Sequence, residues 1–318
     1  MNYRKLLVLL TAFLYAYLLI TLIPIDAIKD RGSYLDYASW PEVLIIKRLE
    51  GGVLALIFNE PIWLLINLLL SFFLVEENVV RTIIFFGSFI TSYLVLKYNY
   101  RYFILLLFFL LIPQVLKNFV IHLRQGLALS FFLIGYLSTS KNKFKNSFFI
   151  LMSPLIHSSF FVLVFLIYVN KLSEKFKFDL ALKILVIAFF GIISSFIMET
   201  IGQLSGARQA AQYEFTSADI SGLAFLFWVV VFIIYTLQGK HFLKNNLLSI
   251  AILIFYLTTY FFIPVTARIF ESGIVLVLLS SLSLSDWRKY SFIGLILFYT
   301  AYTVFSQIGS PYFGWGVS

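Results

Sequence analysis

Two apolar stretches of the chain carry side chains that can do chemistry. Arg124 stands beside Gln125 in "LRQGLALSFFLIGYLS", and His157 stands in "LIHSSFFVLVFLIYV". A guanidinium can bind phosphate through two parallel hydrogen bonds, and an imidazole can take or give a proton. Ionisable side chains at membrane depth cost roughly 2.5 to 3.5 kcal/mol each and are expected to face a polar cavity. Arg124 and His157 therefore mark a candidate site.

The elements that must hold these residues are membrane helices. Hydrophobic residues make up 61% of the 318, charged residues 12%, and the mean hydropathy is +0.95. A helix needs about 20 residues to cross the hydrocarbon core, and about eleven apolar blocks approach that length. The blocks are 6–25, 53–75, 79–96, 102–116, 119–138, 147–169, 180–198, 222–238, 247–263, 269–284 and 290–307.

This pattern predicts an all-α, polytopic integral membrane protein with about eleven transmembrane or re-entrant helices. We expect one membrane domain over residues 1–318, with outer loops at approximately 26–52 and 199–221. The first block follows Arg4 and Lys5 but has no small-residue cleavage site, so we interpret it as a retained span.

The net charge of +9 does not indicate nucleic acid, because most lysines lie in short loops such as "KNKFKN" and "KLSEKFKFD". The chain has no cysteine, which excludes disulfides and thiolate metal sites. It also has no Gly-rich phosphate loop, Walker motif or metal-ligand spacing. We therefore expect no nucleotide, metal or other cofactor.

Two topologies are open. Arg4 and Lys5 place the N-terminus in the cytoplasm, but strict alternation through all blocks would put "KNKFKN" outside. If the blocks at 53–75 and 147–169 are broken or re-entrant, this loop falls inside and Arg124 falls on the outer side. Broken helices are tolerated at membrane depth where they line a cavity. We favour this second topology.

Helical spacing groups further polar residues around Arg124. Residues three, four and seven apart share one face of a helix. Lys117, Ile121 and Arg124 would then form one stripe, and Asn118, His122 and Gln125 a neighbouring one.

Four strings in order, "NEPIWLLINLLL", "LRQGLALSFFLIGYLS", "LIHSSFFVLVFLIYV" and "VTARIFESG", follow the acidic and aromatic segment "DRGSYLDYASW". With these strings the chain resembles the EpsG and Wzy-like family of bacterial polysaccharide polymerases over most of its length. In the acidic segment, Asp30 and Asp36 both match one acidic position of the family.

The resemblance implies a membrane glycosyltransferase that joins undecaprenyl-diphosphate-linked oligosaccharide units at the outer face of the bacterial inner membrane. A sugar hydroxyl would attack the anomeric carbon of the growing chain, and undecaprenyl diphosphate would leave without metal or nucleotide. The product would be O-antigen, capsule or exopolysaccharide. The implied partners are this lipid-linked substrate, membrane lipid and a chain-length regulator protein. A GT-C-like fold follows only by analogy of reaction class.

Such a reaction needs cations for the departing diphosphate and a base for the hydroxyl. The catalytic candidates are Glu60, His157 and Arg124. Glu60 is the best base candidate, and a simple helix cap is its structural alternative. His157 can act as a base, as a donor to phosphate or as a packing residue. Arg124 would hold the diphosphate, unless it only pairs with an acidic residue of a neighbouring helix.

The substrate-binding candidates lie on the helix of Arg124 and in the predicted outer regions. They are Lys117, His122, Gln125, Arg208, Arg268, Arg31, Asp36 and Tyr37. Lys117 would be a second cation on the diphosphate, or else lie at the lipid headgroups. Arg268 matches an arginine of the family, although Glu271 could pair with it. Tyr213 and Trp40 could stack on sugars.

Two other classes remain as alternatives. A polysaccharide flippase or other transporter would also bury charge among many helices, but it should show inverted repeats, and the sequence has none that we detect. An O-acetyltransferase of the same pathway would change acetyl content and leave chain length intact.

Overall fold

The computed structural model describes residues 3–138, 140–204, 222–263 and 265–317, with 195–204 described by their backbone alone. Within these ranges the chain forms helices and no strand, and the backbones of Ile28 and Gly316 meet in one antiparallel bridge. The predicted all-α class is therefore confirmed.

Seventeen α-helices follow one another in the described ranges. They are α1 (Tyr3–Leu22), α2 (Arg31–Ser39), α3 (Pro41–Glu50), α4 (Gly52–Phe58), α5 (Pro61–Ser71), α6 (Glu76–Tyr98), α7 (Phe103–Leu111), α8 (Pro113–Val120), α9 (Leu123–Tyr136), α10 (Lys143–Ile156), α11 (Phe160–Lys175), α12 (Leu180–Leu204), α13 (Gly222–Leu237), α14 (Lys240–Asn245), α15 (Leu247–Thr259), α16 (Thr266–Ser280) and α17 (Asp286–Ser306).

Long apolar helices support a polytopic membrane protein, but fewer of the predicted blocks are continuous helices than the sequence suggested. Three helices in the described ranges are long and apolar enough to span a membrane, or up to five if each of two bent pairs is one span. In the first pair, the chain bends by 76° between α4 and α5. In the second, it bends by 63° between the helical segment Tyr100–Leu111, which includes α7, and α8. Pro61 and Pro113 open the second helix of each pair, because proline is favoured at a first helical position and disfavours helix in the residue before it.

The first compact unit comprises Met1–Phe160 and Thr300–Ser318. Its central helix is α6, which packs against α1, α2 and α9, while α9 also packs against α8 and α10. Segment 26–52, predicted as an outer loop, contains α2 and α3.

The second compact unit comprises Phe161–Tyr299. Helix α15 packs against α12, α13 and α16, and the buried rings of Trp228, Tyr256 and Phe270 contact one another. The Tyr235 hydroxyl donates a hydrogen bond to the Val277 carbonyl over 2.7 Å. That the whole chain acts as one membrane domain stays a prediction.

A glycine lets α8 and α9 approach closely. A Cβ on Gly126 would overlap the backbone oxygen of Asn118, and backbone cannot move aside as a flexible side chain can. We expect Gly126→Ala to lower the free energy of unfolding by about 1 to 3 kcal/mol. The thermal unfolding midpoint of the purified protein in detergent measures this.

Gly294 provides the matched control, because it lies on α17 and no atom of a described residue is within 4 Å of the Cβ that alanine would add. Gly294→Ala should leave the midpoint unchanged or raise it slightly, since alanine favours helix over glycine by about 1 kcal/mol. Equal midpoints for the two variants would contradict the close approach of α8 and α9.

Candidate active site

Glu60 lies at the break between α4 and α5. Its backbone is left-handed, with φ 65° and ψ 58°, which costs a non-glycine residue about 1 to 3 kcal/mol. Its carboxylate makes no capping hydrogen bond to α5. The simple helix cap that was the structural alternative for Glu60 is therefore wrong, and the strained backbone aims the carboxylate elsewhere.

His157 lies at a second break, between α10 and α11, as the sequence predicted. Proline has no N–H for the carbonyl four residues earlier, here that of Ile150. The Ser153 hydroxyl donates to this carbonyl over 2.7 Å, so Pro154 is accommodated inside α10. The helix then ends at Ile156, and His157 is extended with φ −150° and ψ 122°.

Arg124 lies in the first turn of α9, directly after a third break. α8 ends at Val120, and His122 takes the cap position of α9 with φ −97° and ψ 62°. A cation near a helix N-terminus adds to the positive end of the helix dipole, which favours an anion beside it.

The three breaks bring Glu60, Arg124 and His157 together, and we call these residues the Glu60 cluster. Arg124 Nη1 donates to Glu60 Oε2. His157 Nδ1 lies 2.5 Å from Glu60 Oε1, and the Ser158 backbone N–H donates to the same oxygen over 3.4 Å. Both oxygens of the carboxylate are thus engaged.

Burial makes these contacts strong. The side chains of Glu60, Arg124 and His157 are 4%, 19% and 10% exposed. A buried charge costs several kcal/mol unless it is paired. Loss of Arg124 or of Glu60 would therefore leave the other as an uncompensated ion. A purely structural Arg124 was expected to pair with an acidic residue of a neighbouring helix. Such a pair is present, but the carboxylate of Glu60 also contacts His157.

The histidine keeps one nitrogen for other chemistry. An ionised carboxylate only accepts hydrogen bonds, so Nδ1 must donate its proton to Glu60, and in the neutral imidazole Nε2 is then the acceptor. Within the described part of the chain, no hydrogen-bond partner of Nε2 is found. This is the arrangement in which a carboxylate fixes the tautomer of a histidine base.

Three aromatic side chains border the cluster. The Arg124 guanidinium lies 5.6 Å from the ring centroid of Tyr37, a favourable cation–π distance. Trp63 contacts Tyr34 and Tyr37 at centroid distances of 5.6 and 6.1 Å. Tyr34 and Tyr37 thus pack α2 against Trp63 of α5, and Tyr37 also covers the guanidinium of Arg124.

Helix α2 therefore lies beside the cluster, where Tyr37 stays a predicted substrate contact, while Asp36 on the same helix is exposed. Lys117 and His122 are half-buried, and Gln125 is buried. Arg268 is exposed on α16 of the second compact unit. Arg208 and Tyr213 lie outside the described residues.

The predicted stripe of Lys117, Ile121 and Arg124 on one helix face is wrong. α8 ends before Ile121, and α9 begins at Leu123. The parallel stripe of Asn118, His122 and Gln125 is divided by the same break. Two cations on one rigid helix therefore do not occur here.

Sequence reasoning missed Tyr34, Trp63 and Ser158. Tyr34 stands three residues before Tyr37, and Trp63 three residues after Glu60, so helical spacing could have indicated both. Ser158 acts through its backbone N–H, which no sequence pattern reveals. Among residues whose placement is described, no three His, Asp or Glu side chains gather as a metal site would require.

Among the comparisons with known proteins, the one with protein families gives a match. The model of the EpsG family matches residues 6–315, which include every residue of the Glu60 cluster. The resemblance seen in the ordered strings is thereby confirmed. No curated protein and no solved structure matches the chain.

Proposed function

Because the chain belongs to the EpsG family, we propose that it is a membrane glycosyltransferase that polymerises oligosaccharide repeat units linked to undecaprenyl diphosphate. The family suggests a polymerase function of the exopolysaccharide or O-antigen type and is associated with bacterial membranes. The observation that carries the specific reaction is the buried Glu60 cluster, in which an arginine and a histidine share one carboxylate.

The reaction joins two lipid-linked chains. A hydroxyl oxygen of one unit attacks the anomeric carbon of the other, and the bond from that carbon to the diphosphate oxygen breaks. The electron pair of this bond leaves with undecaprenyl diphosphate, and the hydroxyl proton passes to a base. Negative charge thus develops on the leaving group, where fixed cations stabilise the transition state most.

His157 is the base in this proposal, and Glu60 is its positioning residue. Both carboxylate oxygens of Glu60 already accept hydrogen bonds, whereas Nε2 of His157 is left as an acceptor. Glu60 holds the imidazole in the tautomer that can take a proton and stabilises the imidazolium that forms. The contacts therefore favour His157 over Glu60, the better candidate by sequence alone.

Arg124 holds the leaving diphosphate. Nη1 is occupied by Glu60, while Nε makes no hydrogen bond within the described ranges. A guanidinium has five N–H donors, so Arg124 can keep its pair with Glu60 and still donate to phosphate oxygens. No nucleotide or metal is needed, because the energy of transfer comes from the glycosyl diphosphate bond itself.

The remaining parts of the proposal concern place and partners. The lipid-linked donor fits a site at the outer face of the bacterial inner membrane, and a chain-length regulator would act as a protein partner. Lys117, His122, Gln125, Arg208, Arg268 and Asp36 stay candidates for contacts with sugar or lipid. O-antigen, capsule and exopolysaccharide are the product classes.

The test gives the purified full chain in nanodiscs the lipid-linked repeat unit extracted from a strain that lacks this chain. We expect a ladder of longer products and one undecaprenyl diphosphate released per new linkage, without added nucleotide or divalent cation. Unchanged units that cross the bilayer would indicate a transporter. Acetylated units of unchanged length would indicate an O-acetyltransferase.

A further inference from the structure

Arg31, the first residue of α2, is a buried cation with no counterion among the described residues. Its side chain is among the largest that are fully buried, at 2% exposure. Nε and Nη1 are buried and make no hydrogen bond to any described residue. These two nitrogens carry three N–H donors, and buried donors are ordinarily hydrogen-bonded. Three unsatisfied donors in one side chain therefore require an explanation.

A second positive charge also acts on Arg31. Arg81 of α6 is close enough to act on it electrostatically. Arg81 itself donates to the carbonyl of Ile20, one of the last carbonyls of α1, which the helix leaves unpaired. Arg81 therefore has a structural partner, whereas Arg31 has none in the described part of the chain.

Arg31 keeps its charge in this environment. Its pKa is lowered to about 10, mainly by burial, with Tyr34 opposing the decrease and Arg81 adding to it. At neutral pH the side chain is thus a cation with desolvated, unsatisfied donors. Such a group destabilises the protein unless an anion binds to it.

The position of Arg31 connects it with the candidate active site. Arg31, Tyr34 and Tyr37 are three residues apart on the buried face of α2. Tyr34 interacts electrostatically with Arg31, and also with Arg124 and Glu60. Tyr37 lies against Arg124. The buried face of α2 therefore carries Arg31, which has no partner among the described residues, and the same face reaches Arg124 through Tyr34 and Tyr37.

We propose that Arg31 binds a phosphate group and forms, with Arg124, a two-arginine site for a diphosphate. This assigns Arg31, a substrate-binding candidate by sequence, to the leaving group. The inference rests on the proposed function for the source of the diphosphate, a lipid-linked oligosaccharide. The chemistry would equally accept free inorganic diphosphate, and the experiment separates the two.

The test compares Arg31→Met with the parent chain by thermal unfolding in nanodiscs, without ligand, with inorganic diphosphate and with undecaprenyl diphosphate. Because Arg31→Met removes an unpaired buried charge, its midpoint without ligand should lie above that of the parent. The parent midpoint should rise with ligand, and the variant midpoint should not. Loss of charged hydrogen bonds should weaken binding about 10- to 100-fold.

Arg101→Met is the matched control, since Arg101 is exposed and only stacks on Tyr102. It should keep the ligand shift of the parent. A shift with both ligands shows that the diphosphate group suffices, and a shift with the lipid alone shows that the lipid must deliver it.

Two outcomes would overturn the proposal. One is an Arg31→Met variant that melts below the parent without ligand, which would make Arg31 structural. The other is a ligand shift that is the same in the variant and the parent, or absent from the parent. If the shift depends on Arg31 but no polymer forms, the anion site holds and the polymerase proposal fails. If Arg31→Met polymerises like the parent, only the assignment of Arg31 fails.

Discussion

Arg124→Ala should abolish measurable polymer and destabilise the protein. Loss of one donor that stabilises developing negative charge lowers transfer by about 10²- to 10³-fold. Removal of one partner from a buried ion pair lowers the free energy of unfolding by about 3 to 5 kcal/mol, because Glu60 stays buried without its counterion. Arg124→Lys should also lose most activity, since an ammonium cannot make two parallel hydrogen bonds. Product sizing and thermal unfolding of the same preparation measure both effects.

A double variant separates the structural from the chemical contribution of Arg124. Glu60→Gln with Arg124→Met removes both charges, so much of the lost stability should return. Polymer should not return, because neither the diphosphate ligand nor the carboxylate behind His157 is present. Normal polymer from a well-folded Arg124→Ala variant would contradict the assignment.

The same chain offers, as a control, an ion pair whose acidic partner is exposed. Arg288 lies 3.1 Å from Asp286, whose side chain is 74% exposed. Exposed pairs contribute about 0 to 1 kcal/mol. Asp286→Asn, which removes the charge of the exposed partner, should therefore change neither stability nor polymer length by much.

The sequence predicted the parts of the fold that depend on local chemistry. Pro61 marks a break that occurs as predicted, and a break also occurs at His157, although Pro154 itself is accommodated inside α10. Apolar composition predicts membrane helices because a segment that crosses the lipid must be apolar over its whole length. The ordered strings predicted the family, which the match over residues 6–315 confirms.

The sequence could not predict the break after Val120. No proline or glycine occupies Ile121 or His122, so helical periodicity continues through them and suggested one unbroken stripe. At Gly126, α9 approaches α8 closely, and this contact between helices is a tertiary effect that helical periodicity does not reveal. Local propensity gives way to such packing.

The pairing inside the site was also beyond sequence reasoning. Glu60 lies 64 residues from Arg124 and 97 from His157. No periodicity relates residues so far apart, and only the tertiary fold decides which carboxylate a buried cation meets. The same holds for Arg31, because only the tertiary fold shows that no described acidic side chain pairs with it.

His157→Asn should stop transfer while the protein stays folded. The asparagine side chain can place an N–H donor where Nδ1 stands, so the hydrogen bond to Glu60 and the stability are kept. It has no atom at the place of Nε2 and cannot take the proton of the hydroxyl. A positioned base contributes about 10²- to 10⁴-fold, so single-turnover transfer should fall by that factor. The unfolding midpoint should stay near that of the parent.

His157→Gln is the complementary control. Its longer side chain reaches the place of Nε2 but gives up the donor to Glu60, so it should lose stability as well as transfer. The shift of the unfolding midpoint by undecaprenyl diphosphate should persist in His157→Asn, because the arginines hold the diphosphate. If His157→Asn transfers at close to the parent rate, His157 serves only to anchor Glu60, and the base lies elsewhere in the chain.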